Sequence, residues 1–258
     1  MRLTVLGSGA ACPAAGQNSS GYLVETGPDN NGHRLLLDCG HGIASALLSE
    51  RPAADIDDIW VTHMHADHFI DLLALRFRIT RDMAGLPEPE RRISLHLPPG
   101  GMTRLAAILE AVTFPLDFCA STFRVSEYAP DEDSECDGVG VRVSPGTHYI
   151  PSFALRVEAD GAALAYSGDT APSAAVTDLA RDVDLFICEA ALDQPETGHM
   201  PGHCTPEQAA EMARAAGAKR LLLSHFWYGT DTERFGQRAR AAGPTPVDIA
   251  HDGYRRTI

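Results

Sequence analysis

The sequence has little of three things: paired cysteines, long apolar runs and positive charge. Its six cysteines are scattered without a Cys-x-x-Cys pair, which disfavours a disulfide framework and indicates reduced thiols in the cytoplasm. No run approaches the ~18 apolar residues that span a bilayer, and the first residues lack a signal-peptide pattern, so we expect no membrane partner. Lys and Arg number 21 against 35 Asp and Glu, for a net charge of −14. Nucleic acid is therefore a disfavoured partner, because its phosphates bind basic surfaces.

The composition that remains is that of an ordinary globular protein. The 258 residues are 44% hydrophobic and 22% charged, which is enough apolar material for a sizeable core. We find no repeat, low-complexity segment or linker. Strand-like runs occur in clusters, with helices between them in both halves of the chain. This pattern favours a single α/β domain over residues 1–258, in which helices cover mixed sheets.

Hydrophobic periodicity and turn residues predict the individual elements. Strands are expected at 3–6, 21–25, 34–38, 59–61, 93–97, 122–126, 139–144, 153–158, 162–166, 184–188, 220–223 and 247–250. Helices are expected at 43–49, 69–75 continuing through 72–84, 102–112, 205–217 and 231–241. The acidic stretch 131–137 is expected to be a solvated loop. The helices at 72–84 and 102–112 have apolar faces that could serve a homodimer, although core packing explains them equally well.

A dense group of metal-ligand residues follows the predicted strand at 59–61. Three histidines and one aspartate fall within six residues, on the turn that leads into a helix: His63, His65, Asp67 and His68. Imidazole nitrogen and carboxylate oxygen are ligands for zinc and similar divalent ions. Four such ligands on one turn exceed what one tetrahedral ion needs, which points to two ions.

Three more candidate ligands, His148, Asp169 and His225, also follow strand-like runs. Strands of one sheet deliver their ends to a common edge, so these side chains can converge on the first group, and rigid strands hold the geometry that a metal site demands. Taken alone, each of the three would more often be a structural residue. Their combination with the histidine turn favours a metal centre.

These residues make the chain similar to the metallo-β-lactamase superfamily, and within it to the ribonuclease Z-like branch. The similarity covers nearly the whole chain. Its markers are Leu6-Gly7-Ser8-Gly9, Leu37-Asp38-Cys39-Gly40, the His-x-His-x-Asp-His block at 63–68, His148, Gly168-Asp169-Thr170 and Leu223-Ser224-His225-Phe226. The resemblance implies a four-layer αββα sandwich of two mixed β-sheets with two divalent ions at one edge. Zinc is favoured, and manganese and iron are alternatives.

The resemblance also implies a role for each residue of the centre. One ion would be held by His63, His65 and His148, and the other by Asp67, His68 and His225. Asp169 would bridge the ions together with a water, which the ions would activate as hydroxide. Asp38 is expected to orient a ligand histidine by accepting its second N–H. For His41, which stands in Gly40-His41-Gly42, the pocket and the surface remain equal alternatives.

A second layer of the branch pairs a glutamate with a histidine that protonates the leaving group. This chain retains both residues, as Glu189 in Cys188-Glu189-Ala190-Ala191 and His203 in Gly202-His203-Cys204-Thr205. A histidine whose pKa is raised by a carboxylate suits that task near neutral pH. Two other interpretations stay open: His203 could simply cap the following helix, and His199 could take its role. The predicted catalytic residues are Asp67, Glu189 and His203.

Two departures from the branch direct the choice of function. The loop at 13–18 has no positive charge where tRNA-processing members carry basic residues, and no insertion resembles their tRNA-gripping arm. The sequence therefore predicts a metal-dependent hydrolase acting on a small anionic ester. A phosphodiesterase, with a cyclic nucleotide as a candidate substrate, is preferred. The alternatives are an acyl hydrolase (a lactonase, thioesterase or esterase), then a tRNA 3′-processing ribonuclease or a non-catalytic metal-binding protein.

Overall fold

The computed structural model of the chain consists of two seven-stranded β-sheets packed face to face between two layers of helices. It describes residues 1–12, 14–28, 32–82, 93–115, 117–120, 122–130, 133–136, 138–198 and 200–258. The four-layer αββα sandwich expected from the sequence is confirmed. Within the described ranges, no helix combines the length and the apolar character that crossing a bilayer would require.

The first sheet is mixed. Across the sheet its strands are β14 (Arg255–Thr257), β1 (Arg2–Gly7), β2 (Gly21–Glu25), β3 (Arg34–Leu37), β4 (Asp58–Trp60), β5 (Ile93–Leu97) and β6 (Phe123–Glu127). The pairs from β14 to β3 are antiparallel, and those from β3 to β6 are parallel. The carboxyl ends of β3 and β4 therefore point to the same edge of the sandwich.

The second sheet has the same division. Across the sheet its strands are β13 (Val247–Ile249), β12 (Leu221–Ser224), β11 (Leu185–Glu189), β10 (Ala162–Tyr166), β9 (Phe153–Ala159), β8 (Val139–Pro145) and β7 (Ser134–Cys136). The pairs from β13 to β10 are parallel, and those from β10 to β7 are antiparallel. The predicted hairpin of β9 and β10 turns at Asp160 and Gly161, whose φ angles of 57° and 76° are those of a type I′ turn.

The helices cover the outer faces of the sheets. On the first sheet lie α1 (Ile43–Glu50), α2 (Ala66–Phe69), α3 (Leu72–Asp82) and α4 (Gly101–Ala111), with a short 3₁₀ turn at Ala53–Asp55. On the second lie α5 (Ala174–Leu179), α6 (Pro206–Ala216) and α7 (Thr232–Ala242). The predicted start of α6 is confirmed as a full capping box, in which Thr205 Oγ1 accepts from Gln208 N and Gln208 Oε1 accepts from Thr205 N.

The alternation of side chains along the strands divides the core into three layers. In β3, Leu35 and Leu37 face the other sheet, and Leu36 faces the helices. In β11, Leu185 and Ile187 likewise lie between the sheets, while the residues between and after them face α6. Each such residue is fully buried, and burying one contributes roughly 1.5–3 kcal/mol. Packing on both faces of each sheet therefore holds in place the edge at which the parallel strands end.

Several predicted boundaries differ from the structure. The helix expected from 69 onward is split into α2 and α3, because the Asp71 N–H donates to Cys39 O rather than continuing the helix. α3 ends at Asp82, and its predicted end at 84 lies outside the described residues. In the acidic stretch expected to be a loop, residues 134–136 form strand β7; residues 131, 132 and 137 lie outside the described residues. The prediction missed α5 and β14.

Candidate metal centre

All the predicted ligands lie at one edge of the sandwich, where strands from both sheets end. The histidine turn follows β4 of the first sheet. His148, Asp169 and His225 follow β8, β10 and β12 of the second sheet. The structure therefore brings together residues up to 162 positions apart (63 to 225) because the strands, not the sequence, place them.

One group at this edge consists of His63, His65, His148 and Asp169, whose potential ligand atoms all lie within 4.8 Å of one another. His65 Nδ1 is 3.1 Å from His63 Nε2 and 3.0 Å from His148 Nε2. Asp169 Oδ2 lies 3.6 Å from His63 Nε2 and 3.8 Å from His148 Nε2. Three imidazoles and one carboxylate thus point at a common centre.

A second group consists of Asp67, His68, Asp169 and His225, again within 4.8 Å. His68 Nε2 lies 3.4 Å from Asp67 Oδ2 and 3.3 Å from Asp169 Oδ1. His225 Nε2 lies 3.3 Å from Asp169 Oδ2. Asp169 is the one member common to both groups, the position that the resemblance implied for it.

The residues fit divalent ions on two counts. First, His68 Nε2 and Asp169 Oδ1 are buried and, although 3.3 Å apart, form no hydrogen bond with each other or with another group of the described residues, and a buried unpaired polar atom costs about 1–3 kcal/mol. Second, burial and then the charge of His68 hold the pKa of His63 well below its ordinary value, and burial lowers the pKa of His148 to about 4. Both rings are therefore neutral at pH 7, the form in which imidazole binds a metal.

Asp38 holds His68, a member of the second group, by a hydrogen bond. It is fully buried, and its Oδ2 accepts hydrogen bonds from His68 Nδ1 (2.7 Å), Tyr166 OH (2.7 Å) and Thr62 Oγ1 (2.9 Å). Its Oδ1 accepts from Thr62 N at 2.8 Å. The bond from His68 Nδ1 leaves Nε2 of that ring directed at Asp169, which is the orienting geometry expected for Asp38.

Two other ligand rings have partners that sequence reasoning missed. His148 Nδ1 donates to Gly202 O at 2.8 Å, and Ser20 Oγ lies 3.1 Å from His225 Nδ1. In each case the Nε2 atom is left to face the centre. Neither partner carries a sequence signal of its own, because each reaches the site from a distant loop.

The loop after β3 requires a residue without a side chain at position 40, directly after Asp38 and Cys39. A Cβ atom at Gly40 would lie 1.8 Å from Asp67 O, far inside van der Waals contact. The neighbouring Cys39 N donates to His68 O at 2.7 Å. The loop after β3 therefore packs its backbone directly onto the ligand turn and fixes it in place.

Glu189 and His203 lie beside the ligands. His203 Nδ1 donates to Glu189 Oε1 at 2.8 Å, and Glu189, which is buried at the end of β11, also accepts from Thr170 N at 2.7 Å. Burial alone lowers the pKa of His203, but the hydrogen bond and charge of Glu189 outweigh it and raise the pKa to about 9. Asp169, Glu189 and His203 also lie within 4.8 Å of one another.

These contacts address one of the two interpretations left open for the second layer. The helix-cap interpretation of His203 is wrong, since Thr205 is the N-cap of α6. The competing His199 lies outside the described residues. His41 is exposed and belongs to none of the described ligand groups, so of its two alternatives the structure has the surface position.

A cavity of about 460 Å³ opens over the centre. His65, Asp67, Asp169, His203 and His225 form its base. Its walls include Tyr149, Leu192, Glu196 and Trp227, and no lysine or arginine is among its described lining residues. The Tyr149 hydroxyl donates to Glu196, and Tyr149 and Trp227 are 45% and 40% exposed. These wall residues carry no recognisable sequence pattern, because they come from separate loops.

The chain is similar to known proteins in sequence and in structure. A family model described as a beta-lactamase superfamily domain matches residues 33–226. Ribonuclease Z of Myxococcus xanthus is 29% identical and aligns with 98% of this chain and 96% of its own length. Among solved structures, human tRNase Z, short form, has a TM-score of 0.76 at 26% identity and covers 100% of this chain and 99% of its own. The metallo-beta-lactamase fold protein YhfI of Bacillus subtilis has a TM-score of 0.85 at 24% identity, covering 99% and 98%.

Proposed function

Since the chain belongs to the beta-lactamase superfamily and has its metallo-hydrolase ligand cluster, we propose that it hydrolyses a small phosphodiester at a centre of two divalent ions. A cyclic nucleotide is the leading candidate substrate. The proposal depends most on one observation: a buried glutamate and a hydrogen-bonded histidine, Glu189 and His203, stand beside the carboxylate common to both ligand groups.

In this proposal His63, His65 and His148 would hold one ion, Asp67, His68 and His225 would hold the other, and Asp169 would be a ligand of either. Zinc is favoured because the set is made of imidazoles and carboxylates. Bound ions would lower the pKa of a water molecule to near neutrality and polarise the bond under attack. Asp38 keeps the His68 ring in the orientation that this arrangement needs.

His203 would protonate the leaving group, which a phosphodiester needs more than a substrate with a good leaving group does. Hydrolysis of an alkyl phosphodiester must expel an alkoxide, and a positioned acid that protonates the leaving oxygen contributes about 10²–10⁴-fold. Glu189 holds Nδ1 of His203, so the Nε2 proton is the one available for donation. An activated acyl ester gains little from such an acid, because its leaving group is already stable.

The cavity fits a small aromatic ester better than a polynucleotide. Its volume of about 460 Å³ is in the range of small-molecule sites. Half-exposed Tyr149 and Trp227 provide ring faces on which a nucleobase can stack. With no lysine or arginine among the described lining residues and a net charge of −14, the phosphate charge would be balanced at the metal centre and by His203.

A substrate panel tests the proposal. Zinc-loaded protein is incubated with bis-p-nitrophenyl phosphate, cyclic nucleotides, a lactone and a thioester. Phosphodiester cleavage is expected, and acyl turnover without any phosphodiester cleavage would overturn the proposal. His203→Ala should slow an alkyl phosphodiester more than the activated p-nitrophenyl ester, whereas His41→Ala, an exposed histidine outside the centre, should change neither. Equal losses on both substrates would remove His203 as the acid.

A further inference from the structure

A second cluster of metal-ligand side chains lies at the opposite edge of the sandwich. His33 immediately precedes β3, Asp58 is the first residue of β4, and Cys136 is the last residue of β7. β3 and β4 are parallel, so their first residues lie at the edge remote from the histidine turn. Asp58 begins β4, whereas His63 lies three residues beyond the other end of that strand, at Trp60. The cluster is therefore separate from the candidate catalytic centre.

The ligand atoms of this cluster already converge. One ring nitrogen of His33, one oxygen of Asp58 and the sulfur of Cys136 lie within 4.8 Å of one another. His33 and Asp58 are buried, at 7% and 5% exposure, while Cys136 is exposed and forms no disulfide. The cluster lines a cavity of about 120 Å³, ample for an ion and a water molecule, whose share of liquid volume is about 30 Å³.

Hydrogen bonds and nearby carboxylates orient these side chains, as is usual for the residues around metal ligands. Asp58 Oδ2 contacts His33 Nε2, and its other oxygen, Oδ1, accepts from His96 Nε2 at 3.1 Å. The Oδ2 atom of Asp57 lies 3.9 Å from His33 Nδ1 and is fixed by the Arg34 N–H at 2.8 Å. A carboxylate thus faces the His33 nitrogen that is turned away from Asp58, as is common for ligating histidines.

The three side chains are also of types that bind zinc, as histidine nitrogen, carboxylate oxygen and cysteine sulfur. An imidazole, a carboxylate and a thiol together form a donor set that zinc accepts with tetrahedral geometry.

We propose that His33, Asp58 and Cys136 bind one zinc ion, with a water molecule as the fourth ligand. Binding releases the thiol proton of Cys136 to solvent, and the thiolate becomes the ligand. The proton that His33 Nε2 shares with Asp58 moves to Nδ1, which faces Asp57, so that Nε2 is free to bind the ion. His33 precedes a strand of the first sheet, Asp58 begins the neighbouring strand of that sheet, and Cys136 ends a strand of the second. The ion therefore fastens β7, a three-residue edge strand whose residues are all exposed, to the other sheet. Its role is structural, and turnover at the catalytic centre does not depend on it.

Cobalt substitution tests the proposal independently of activity. Co²⁺ bound to a thiolate gives an intense near-ultraviolet charge-transfer band, which the candidate catalytic groups, made only of histidine and aspartate, do not produce. Protein kept reduced and loaded with Co²⁺ should show this band. Cys136→Ser should abolish it, and Cys12→Ser, which alters the other exposed cysteine, should retain it.

Metal counting and melting complete the experiment. After loading with zinc and removal of loosely bound metal, Cys136→Ser and His33→Gln should each contain one zinc equivalent fewer than the Cys12→Ser control. The zinc-dependent rise in Tm should be smaller in Cys136→Ser, with turnover unchanged. Absence of the band in the wild-type protein, or its persistence in Cys136→Ser, would overturn the proposal. The wild-type spectrum decides the question even where the His33 variant does not fold.

Discussion

Replacing Asp38 with asparagine should weaken metal binding at the His68 group by about 10- to 100-fold, the usual effect of losing a residue that orients a ligand. Asparagine keeps the size of the side chain and tolerates the φ of 59° found at this position, which most residues would resist. What it removes is one acceptor oxygen and the negative charge opposite the His68 ring.

The structure sets the size of the effect. Asp38 receives three hydrogen bonds on Oδ2 and one on Oδ1, all from buried groups. An amide NH₂ cannot accept, so at least one donor, Thr62 N, loses its partner, and three lose theirs if the amide is reversed. Each buried unpaired donor costs about 1–3 kcal/mol. The loss in metal affinity corresponds to about 1.4–2.7 kcal/mol, at 1.4 kcal/mol per tenfold change.

The assay is competition for zinc with a chromophoric chelator, together with urea unfolding of the metal-free protein. Tyr166→Phe is the matched control, because it removes one of the three donors to Oδ2 but keeps the carboxylate and the His68 bond. It should cost about 1 kcal/mol of stability and much less metal affinity than Asp38→Asn. Wild-type zinc affinity in Asp38→Asn would refute the view that this carboxylate orients His68.

Three further outcomes are expected. Gly40→Ala should destabilise the fold by about 1–3 kcal/mol in urea unfolding, because the new Cβ would meet Asp67 O; an unchanged midpoint would contradict this close approach. For an alkyl phosphodiester, the wild-type rate should fall as pH rises through about 9, since the His203 imidazolium is lost above its raised pKa, and a pH–rate profile of His203→Ala should lack that descent. Trp227→Ala should raise KM for a cyclic nucleotide by roughly tenfold, given ~1–3 kcal/mol per stacked base, with KM for a substrate without an aromatic ring as the control.

Local signals in the sequence were enough to predict much of the fold. The Thr205 capping box and the turn at Asp160 and Gly161 involve neighbours within four positions, and the structure contains both. By contrast, β14 is an exposed Arg-Arg-Thr segment without apolar alternation, and it pairs with β1 across more than 250 residues. Such an edge strand exists only because its partner is already in place, so no local pattern predicts it.

The candidate site divides in the same way. Its candidate ligands stand at strand ends, so the sequence predicted that they converge, and the resemblance to a known family implied how they divide into two groups; the structure brings both groups together. The residues that hold these side chains in place were not predicted. Tyr166 contacts Asp38 across 128 residues, and Ser20 contacts His225 across 205 residues. The cavity wall is similar, since Tyr149 and Glu196 meet only through two folded loops. Contacts of this kind depend on tertiary packing and leave no periodic trace in the sequence.

The division of the proposed ligands between the two sheets has a consequence for how the protein matures. The first sheet contributes Asp67 and His68, whereas Asp169 and His225 come from the second. A nascent chain cannot offer the second group complete until His225 has left the ribosome and both sheets have assembled. Ion binding at this group would therefore follow the assembly of both sheets. Metal at 100 times its Kd would then add about 2.7 kcal/mol of stability per site.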